Sequence, residues 1–366
     1  MRISLKNWLT AIFLVLGISA LYLIIKEYGI KNILNTYKSF DPLILFFYTI
    51  AVVIILLLLN LRWDIILKSR NKNIPFRKLF IYRVIGTSIN FLTPGPRVGG
   101  EPTQASLLTK HNVDFTEGLS TIMIDKIIDI TTSGMLFIIG VSLVGLKYSI
   151  TGSFGWILFF TGIIFIIITI TFYYRMLKSK HFFLKIFHIL RIDKIKNNTI
   201  KNIEKKIEEI ELMMIDFYKN NKKAFIKTII ISMLSWIAMF FEYKFAAKLL
   251  GFNLDVIEIF FIVSFVGMAM LFPIPMAIGV LEAGQISAFA IIGLPASAGV
   301  ALAFLVRLKD LTISFIGIIL LALYGFHVPK VVKKKYKSKT EPLGEDSKLK
   351  KPISIKFKKI KNNNIK

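Results

Sequence analysis

The sequence contains no cysteine. Disulfides, thiolate nucleophiles and thiolate metal sites are therefore excluded, and the redox compartment stays open. Histidine is also scarce, and His111, His181, His188 and His327 are scattered along the chain, so no metal centre is expected. Enzyme motifs are missing as well. Gly95-Pro96-Arg97-Val98-Gly99-Gly100 lacks the Gly-Lys-Ser/Thr of a phosphate loop, and the spacing and βαβ setting of a dinucleotide fingerprint. No Ser-His-Asp arrangement suggests itself, so no catalytic residue and no cofactor is assigned. Acidic residues are few: 22 Asp and Glu stand against 48 Lys and Arg, a net charge of +26.

In a soluble protein that excess would point to nucleic acid. What is present argues otherwise. The chain is 55% hydrophobic, its mean hydropathy is +0.64, and basic stretches separate long apolar runs. That pattern describes an all-helical, polytopic membrane protein, with membrane lipids, anionic ones above all, as partners and no nucleic acid. Its oligomeric state is left open.

Arg2 and Lys6 precede an apolar run from Leu9 to Ile25. No small-residue cleavage site follows, so the run reads as a first span rather than a signal peptide. A second span covers Pro42 to Leu61. The stretch from Arg62 to Arg83 reads as a basic cytoplasmic loop, which puts the N-terminus inside as well. Leu119–Leu146, Trp156–Tyr174, Ala224–Leu250 and Ala296–Tyr324 supply the remaining spans, about six in all at the usual length of roughly 20 residues. Residues 175–223 form a basic helical loop on the cytoplasmic side. Within it Ile200, Ile203, Ile207, Ile210, Met214 and Phe217 make one apolar stripe, with Glu204, Glu208 and Glu211 off it. That helix reads as a linker on the membrane or its neighbours, with a gating role as the alternative. The membrane domain ends near residue 325, and 326–366 is a basic cytoplasmic tail suited to anionic headgroups.

Two stretches do not fit plain spans. Phe80–Phe91 runs into Pro94, Gly99 and Gly100, and Ile257–Phe272 into Pro273, Pro275 and Gly279. Each arm is too short to cross a bilayer. Broken backbone at membrane depth survives only inside protein or along a wet cavity, so both read as re-entrant helical hairpins. They also match each other. Shifted by 181 positions, Gly86 falls on Gly267, Pro94 on Pro275, Glu101 on Glu282, Gln104 on Gln285, Lys126 on Arg307, Asp129 on Asp310 and Ser133 on Ser314. Repeat A covers about 42–146 and repeat B about 224–325. Counting spans between them turns the second repeat upside down, the common plan of secondary transporters.

Charges inside spans are costly and point to function. Lys126 with Asp129, and Arg307 with Asp310, are three apart, so each pair could instead neutralise itself. Glu101 and Glu282 have no such neighbour. Each begins a half-helix, where the dipole favours a carboxylate and free N–H groups, with Arg97 close by, suit a phosphate. The expected substrate-binding set is Arg97, Glu101, Gln104, Lys126, Asp129, Glu282, Gln285, Arg307 and Asp310, gathered in a shared polar cavity.

These residues carry a resemblance. Pro94 with Gly99-Gly100-Glu101 and Leu107-Leu108, and Pro273, Pro275, Gly279, Glu282, Gly293 and Arg307 in the second half, resemble the flippase-like membrane region of the lysylphosphatidylglycerol synthase family. The likeness covers about Ser4 to Phe326. It implies a protein that handles lipids or lipid-linked carriers and moves them between leaflets. Relatives that make aminoacylated lipid carry a large soluble catalytic domain after this region. Here only the basic stretch from Val331 to Lys366 follows, so lysyl transfer is not expected. Relatives often place a basic residue soon after the first Gly-Glu, where this chain has Pro102 and Gln104, which leaves headgroup preference open. The leading expectation is a multi-pass flippase of the cell membrane with both termini cytoplasmic, acting on an anionic lipid or lipid-linked saccharide. The alternative is a membrane-embedded transferase, or a subunit of one.

Overall fold

The computed structural model describes residues 40–92, 99–148, 153–194, 197–269 and 280–324. Among these residues the regular structure is helical and includes no strand. The run Leu9–Ile25, the breaks Pro94, Arg97, Pro273, Pro275 and Gly279, and the tail 326–366 lie outside the described residues, as does the side chain of Glu282.

The first helix, α1, runs Pro42–Lys68. Asp41 caps it, accepting from the backbone N–H groups of Leu43 and Ile44 at 2.8 and 3.3 Å, and Pro42 opens it where a missing N–H costs nothing. The Arg62–Arg83 stretch is therefore not a loop. The helix continues past Leu61 because Trp63, Ile66 and Leu67 pack inward and carry Arg62 with them. After a turn, α2 spans Phe76–Leu92 and α3 Gly100–Leu108. These are the arms of the first expected hairpin. They touch so closely that a Cβ on Gly100 would meet the carbonyl of Gly86, and one on Gly86 the side chain of Gln104.

Beyond a short 3-10 turn, Thr109–His111, lies α4, Phe115–Tyr148. At 34 residues it is about 51 Å long, more than a bilayer core needs. Helix α5 covers Ser153–Leu177, α6 Phe183–Ile189 and α7 Asn198–Asn220. Only the C-terminal half of the α7 stripe is buried: Met214 and Phe217 are 0% exposed and Ile203 43%. Glu211, expected off the stripe, is buried too. It accepts from the N–H groups of Phe182, Phe183 and Leu184, so it satisfies the free donors at the start of α6.

The second half begins with α8, Lys222–Leu249. Helix α9, Val256–Ala269, starts at a reciprocal cap in which Asp255 and Glu258 each accept the other's backbone N–H at 2.8 and 2.9 Å. Helix α10 is Val280–Ile291 and α11 Ala296–Tyr324. Among the described residues α1, α8 and the Phe160–Leu177 part of α5 are long and apolar enough to cross a membrane. Helices α4 and α11 are also long, but carry charges within their length.

Shifted by 181 residues, α1 to α4 fall on 223–249, 257–273, 281–289 and 296–329, close to the bounds of α8 to α11. The two sets pack reciprocally: α1 on α8, α2 on α11, α9 on α4. All three pairs are antiparallel. Phe47 stacks on Phe245 at 5.6 Å while Arg62 reaches Ser232. Lys78 lies over the Tyr324 ring at 4.7 Å while Ser88 donates to the Ile313 carbonyl at 3.2 Å. Ser264 donates to the Leu136 carbonyl at 3.1 Å while Phe260 lies beside Gly140. The last two crossings share one device. Ser88 sits where a Cβ on Gly317 would be, and Ser264 where a Cβ on Gly140 would be.

Candidate functional site

Arg62 is 2% exposed and faces away from the lipid side of α1. Its Nε donates to Asp125 Oδ1 at 2.6 Å, and its Nη1 to Asp129 Oδ1 and Ser232 Oγ, both at 3.0 Å. One guanidinium thus joins α1 to α4 and α8. Arg83, from α2, takes the other oxygen of Asp125 at 3.0 Å and lies 5.3 Å from the Trp63 ring. Burying such charges is tolerable only because each is paired and hydrogen-bonded, and arginine's planar fork suits a carboxylate held between two of them.

Next to Asp125, Lys126 turns the other way and pairs with Glu101. Glu101 stands in the first turn of α3, where the helix dipole favours its charge. Gly99, at the cap position, offers no side chain, and Asn90 of α2 serves instead. Its Oδ1 accepts from the Gly100 N–H at 2.6 Å and its Nδ2 donates to Glu101 Oε1 at 3.1 Å. Gln104 points back to α2, with a long 3.5 Å contact to the Arg83 carbonyl. Three cations, Arg62, Arg83 and Lys126, therefore balance three anions, Glu101, Asp125 and Asp129. The cluster is dry at Arg62 but opens outward: the Lys126 side chain is 33% exposed and that of Asp129 51%. Asp129 lies about 21 Å along α4 from its start. Glu101 Oε2 and Arg83 Nε are buried with no hydrogen-bond partner among the described residues.

The second half holds a smaller cluster. Lys309 on α11 donates to Glu242 of α8 at 2.6 Å and lies 3.8 Å from Asp310. Arg307 is buried. Gln285 is 0% exposed, and neither polar atom of its side chain has a hydrogen-bond partner among the described residues. Ser232 and Glu242 place the two clusters about 15 Å apart along α8.

The intrahelical pairings read from spacing do not form: Lys126 goes to Glu101 and Asp129 to Arg62, while Asp310 lies nearest Lys309. Partners on packed neighbours are better aligned than a residue three along the same helix. Of the expected set, Glu101, Gln104, Lys126 and Asp129 come together; Gln285, Arg307 and Asp310 lie on α10 and α11. Spacing did not single out Arg62, Arg83, Asn90, Asp125, Glu242 or Lys309. Asp125 and Lys309 had a signal, being charges within long apolar helices. Arg62 had the apolar positions that continue beyond it.

Long apolar helices joined by buried ion pairs define a polytopic, membrane-embedded helical protein. The chain belongs to the family of the lysylphosphatidylglycerol synthase transmembrane region, whose profile matches residues 8–320. It is 31% identical over 137 residues to a UPF0104 membrane protein of Methanothermobacter thermautotrophicus, covering 37% of this chain and 40% of that relative. A UPF0104 membrane protein of Pyrococcus horikoshii is 24% identical over 311 residues, 81% of this chain and 91% of the relative. One of Methanocaldococcus jannaschii is 27% identical over 163 residues, 43% of this chain and 48% of the relative. No solved structure matches the chain.

Proposed function

We propose that this protein is a flippase that moves an anionic lipid or lipid-linked saccharide between leaflets by alternating access. The observation that carries the reading is the reciprocal packing of α1–α4 with α8–α11. Two copies of one unit, inserted upside down, would set α1 antiparallel to its equivalent α8, and all three pairs run antiparallel, which supports this reading. Inverted repeats with interrupted helices are the usual frame of secondary transporters. The charge clusters fit the same frame. They are two stations about 15 Å apart on α8, one towards each end of the helix. Lys126 and Asp129 give the first station an open side where a phosphate headgroup can exchange for an internal partner. Glu101, held by Asn90 and Lys126, ties the hairpin arm α3 to α4. Breaking that tie is the step that would let the arm swing. In this reading the protein lies in the cell membrane with both termini cytoplasmic.

The test is lipid movement in liposomes containing only this protein, with labelled phosphatidylglycerol and a labelled polyprenyl-phosphate sugar as substrates. Glu101→Gln is expected to slow movement at least tenfold, and Lys126→Met similarly. A correctly inserted protein that moves neither lipid would sink the proposal. The family's name favours a second reading, a transferase, which product formation from purified protein and an activated aminoacyl or sugar donor would establish. A cysteine placed beside Lys72 should react only from the cytoplasmic side.

A further inference from the structure

Among the described residues, helix α8 carries an exposed apolar stripe. Ile230, Leu234, Ile237 and Phe241 are 44–54% exposed and recur at spacings of four and three. They form a ridge along one side of the helix. A groove lies on each flank. One, about 370 Å³, is lined by Leu136 of α4, Met233 and Trp236 of α8, and Phe260 and Val263 of α9. The other, about 400 Å³, is lined by Ile50, Ile54 and Leu58 of α1 with Leu234, Ala238 and Phe245 of α8. Ile237 and Phe241 border both. Each groove falls within the usual range of ligand sites, about 300–1,000 Å³, and both are walled almost wholly by hydrocarbon.

The stripe does not end with Phe241. Lys244 and Lys248 follow at the same three- and four-residue spacing, one and two turns nearer the helix C-terminus. Neither has a carboxylate partner among the described residues. Nearby acids face elsewhere. Asp41 caps α1 and Asp255 and Glu258 cap α9, while Glu242 is buried against Lys309. Two cations therefore stand above a ridge with an apolar channel on either side.

We infer that this face of α8 is a binding site for one two-chained phospholipid. Its phosphate sits on Lys244 and Lys248, and one chain lies in each groove, astride Ile237 and Phe241. An ordinary lipid-facing helix has snorkelling lysines too. It lacks paired grooves meeting at one ridge that ends in two cations, and that geometry selects two chains and a phosphate rather than a detergent or a free fatty acid. The site requires only that the chain be in a membrane. It does not depend on the transport reading.

The experiment is native mass spectrometry of the full chain in mild detergent, titrated with phosphatidylglycerol and with its single-chained lyso form. One two-chained lipid per chain should remain bound, and the lyso form should bind at least tenfold more weakly. Lys244→Gln with Lys248→Gln should weaken binding about thirtyfold, two contacts at the strength usual for basic residues near anionic headgroups. Met233→Trp and Leu234→Trp, which fill one groove each from its rim, should also expel the lipid. Circular dichroism and gel filtration confirm that each variant is folded. Equal binding of the lyso form, or unchanged retention in the lysine variant and in both tryptophan variants, overturns the site. Lost transport with the lipid still held would count against the flippase and leave this site standing.

Discussion

In the first half two buried arginines share Asp125 and reach Asp129, and Lys126 holds Glu101. In the second, Lys309 lies between Glu242 and Asp310. At the 181-residue offset, Arg62, Arg83 and Asp125 are replaced by Tyr243, Ser264 and Val306, while Glu242 and Lys309 occupy the places of Leu61 and Ile128. Helix bounds, antiparallel pairing, the serine-on-glycine crossings and the charges at Glu101, Lys126 and Asp129 recur in both halves; Arg62, Arg83, Asp125, Glu242 and Lys309 have no charged counterpart. The skeleton therefore rests on small residues and apolar faces, and these unmatched charges ride on it. They differ between halves in groups, acid together with base, because a single unmatched charge at depth is costly and a matched set is not.

The strongest way to break this comparison is to unmatch a set. Arg62→Met strips Asp129 and Ser232 of their guanidinium and leaves Asp125 with Arg83 alone. A cost of about 3–5 kcal/mol is expected, the range for removing one partner of a buried pair. Lys309→Met should cost more still, because it takes the paired cation from the Glu242 carboxylate, whose side chain is 2% exposed, whereas Asp125 keeps Arg83 and Asp129 meets solvent. Thermal or SDS unfolding in detergent measures both. Adding Asp125→Asn to Arg62→Met should recover part of the loss. Equal midpoints for the two single variants would mean that the clusters are equivalent after all.

The helical class and the long apolar helices were legible because an apolar run is a local trace. The bounds of α2 and α9 lie within a few residues of the stretches Phe80–Phe91 and Ile257–Phe272 read from the sequence. Pairings were not legible. Arg62 finds Asp125 63 residues away, and only the rotation of α1 and α4 about their axes decides that. Counting loop charges also misplaced Arg62 and Arg83, because composition registers a charge but not whether a partner waits inside. Asn90 was overlooked for the same reason. Its role as cap for α3 exists only once the chain has doubled back.

The crossings offer a finer test. Gly317→Ala and Gly140→Ala each set a methyl against a serine hydroxyl, Ser88 and Ser264 respectively. Overpacking of this kind costs about 1–3 kcal/mol. If the two halves are one skeleton, both variants should lose stability, Gly317→Ala the more, because its methyl also meets the Val84 carbonyl. Ser264→Gly should rescue Gly140→Ala, Ser88→Gly should rescue Gly317→Ala in part, and neither should rescue the other pair's variant. Rescue across the pairs, or a loss confined to one half, would break the equivalence.

The smallest effect sharpens the contrast. His111 Nε2 lies 3.1 Å from the Tyr82 hydroxyl. Burial first, then Lys78 and Lys110, hold its pKa below the ordinary value. The folded protein thus binds fewer protons here than the unfolded chain. This contribution to stability is full at neutral pH and declines as pH falls through about 6.5, levelling off below the folded value. His188 works in the opposite sense, because its hydrogen bond to Glu204 raises its pKa. The informative measurement is therefore a difference, the melting of wild type minus that of His111→Gln between pH 7.5 and 5.5. With solvent screening it should amount to a few tenths of a kcal/mol, wild type losing more on acidification. The position equivalent to His111 is Ile292, which is buried and cannot titrate, so the pH response should belong to the first half alone. If Ile292→Val, which keeps the site apolar, alters the response as much as His111→Gln does, the assignment to His111 fails.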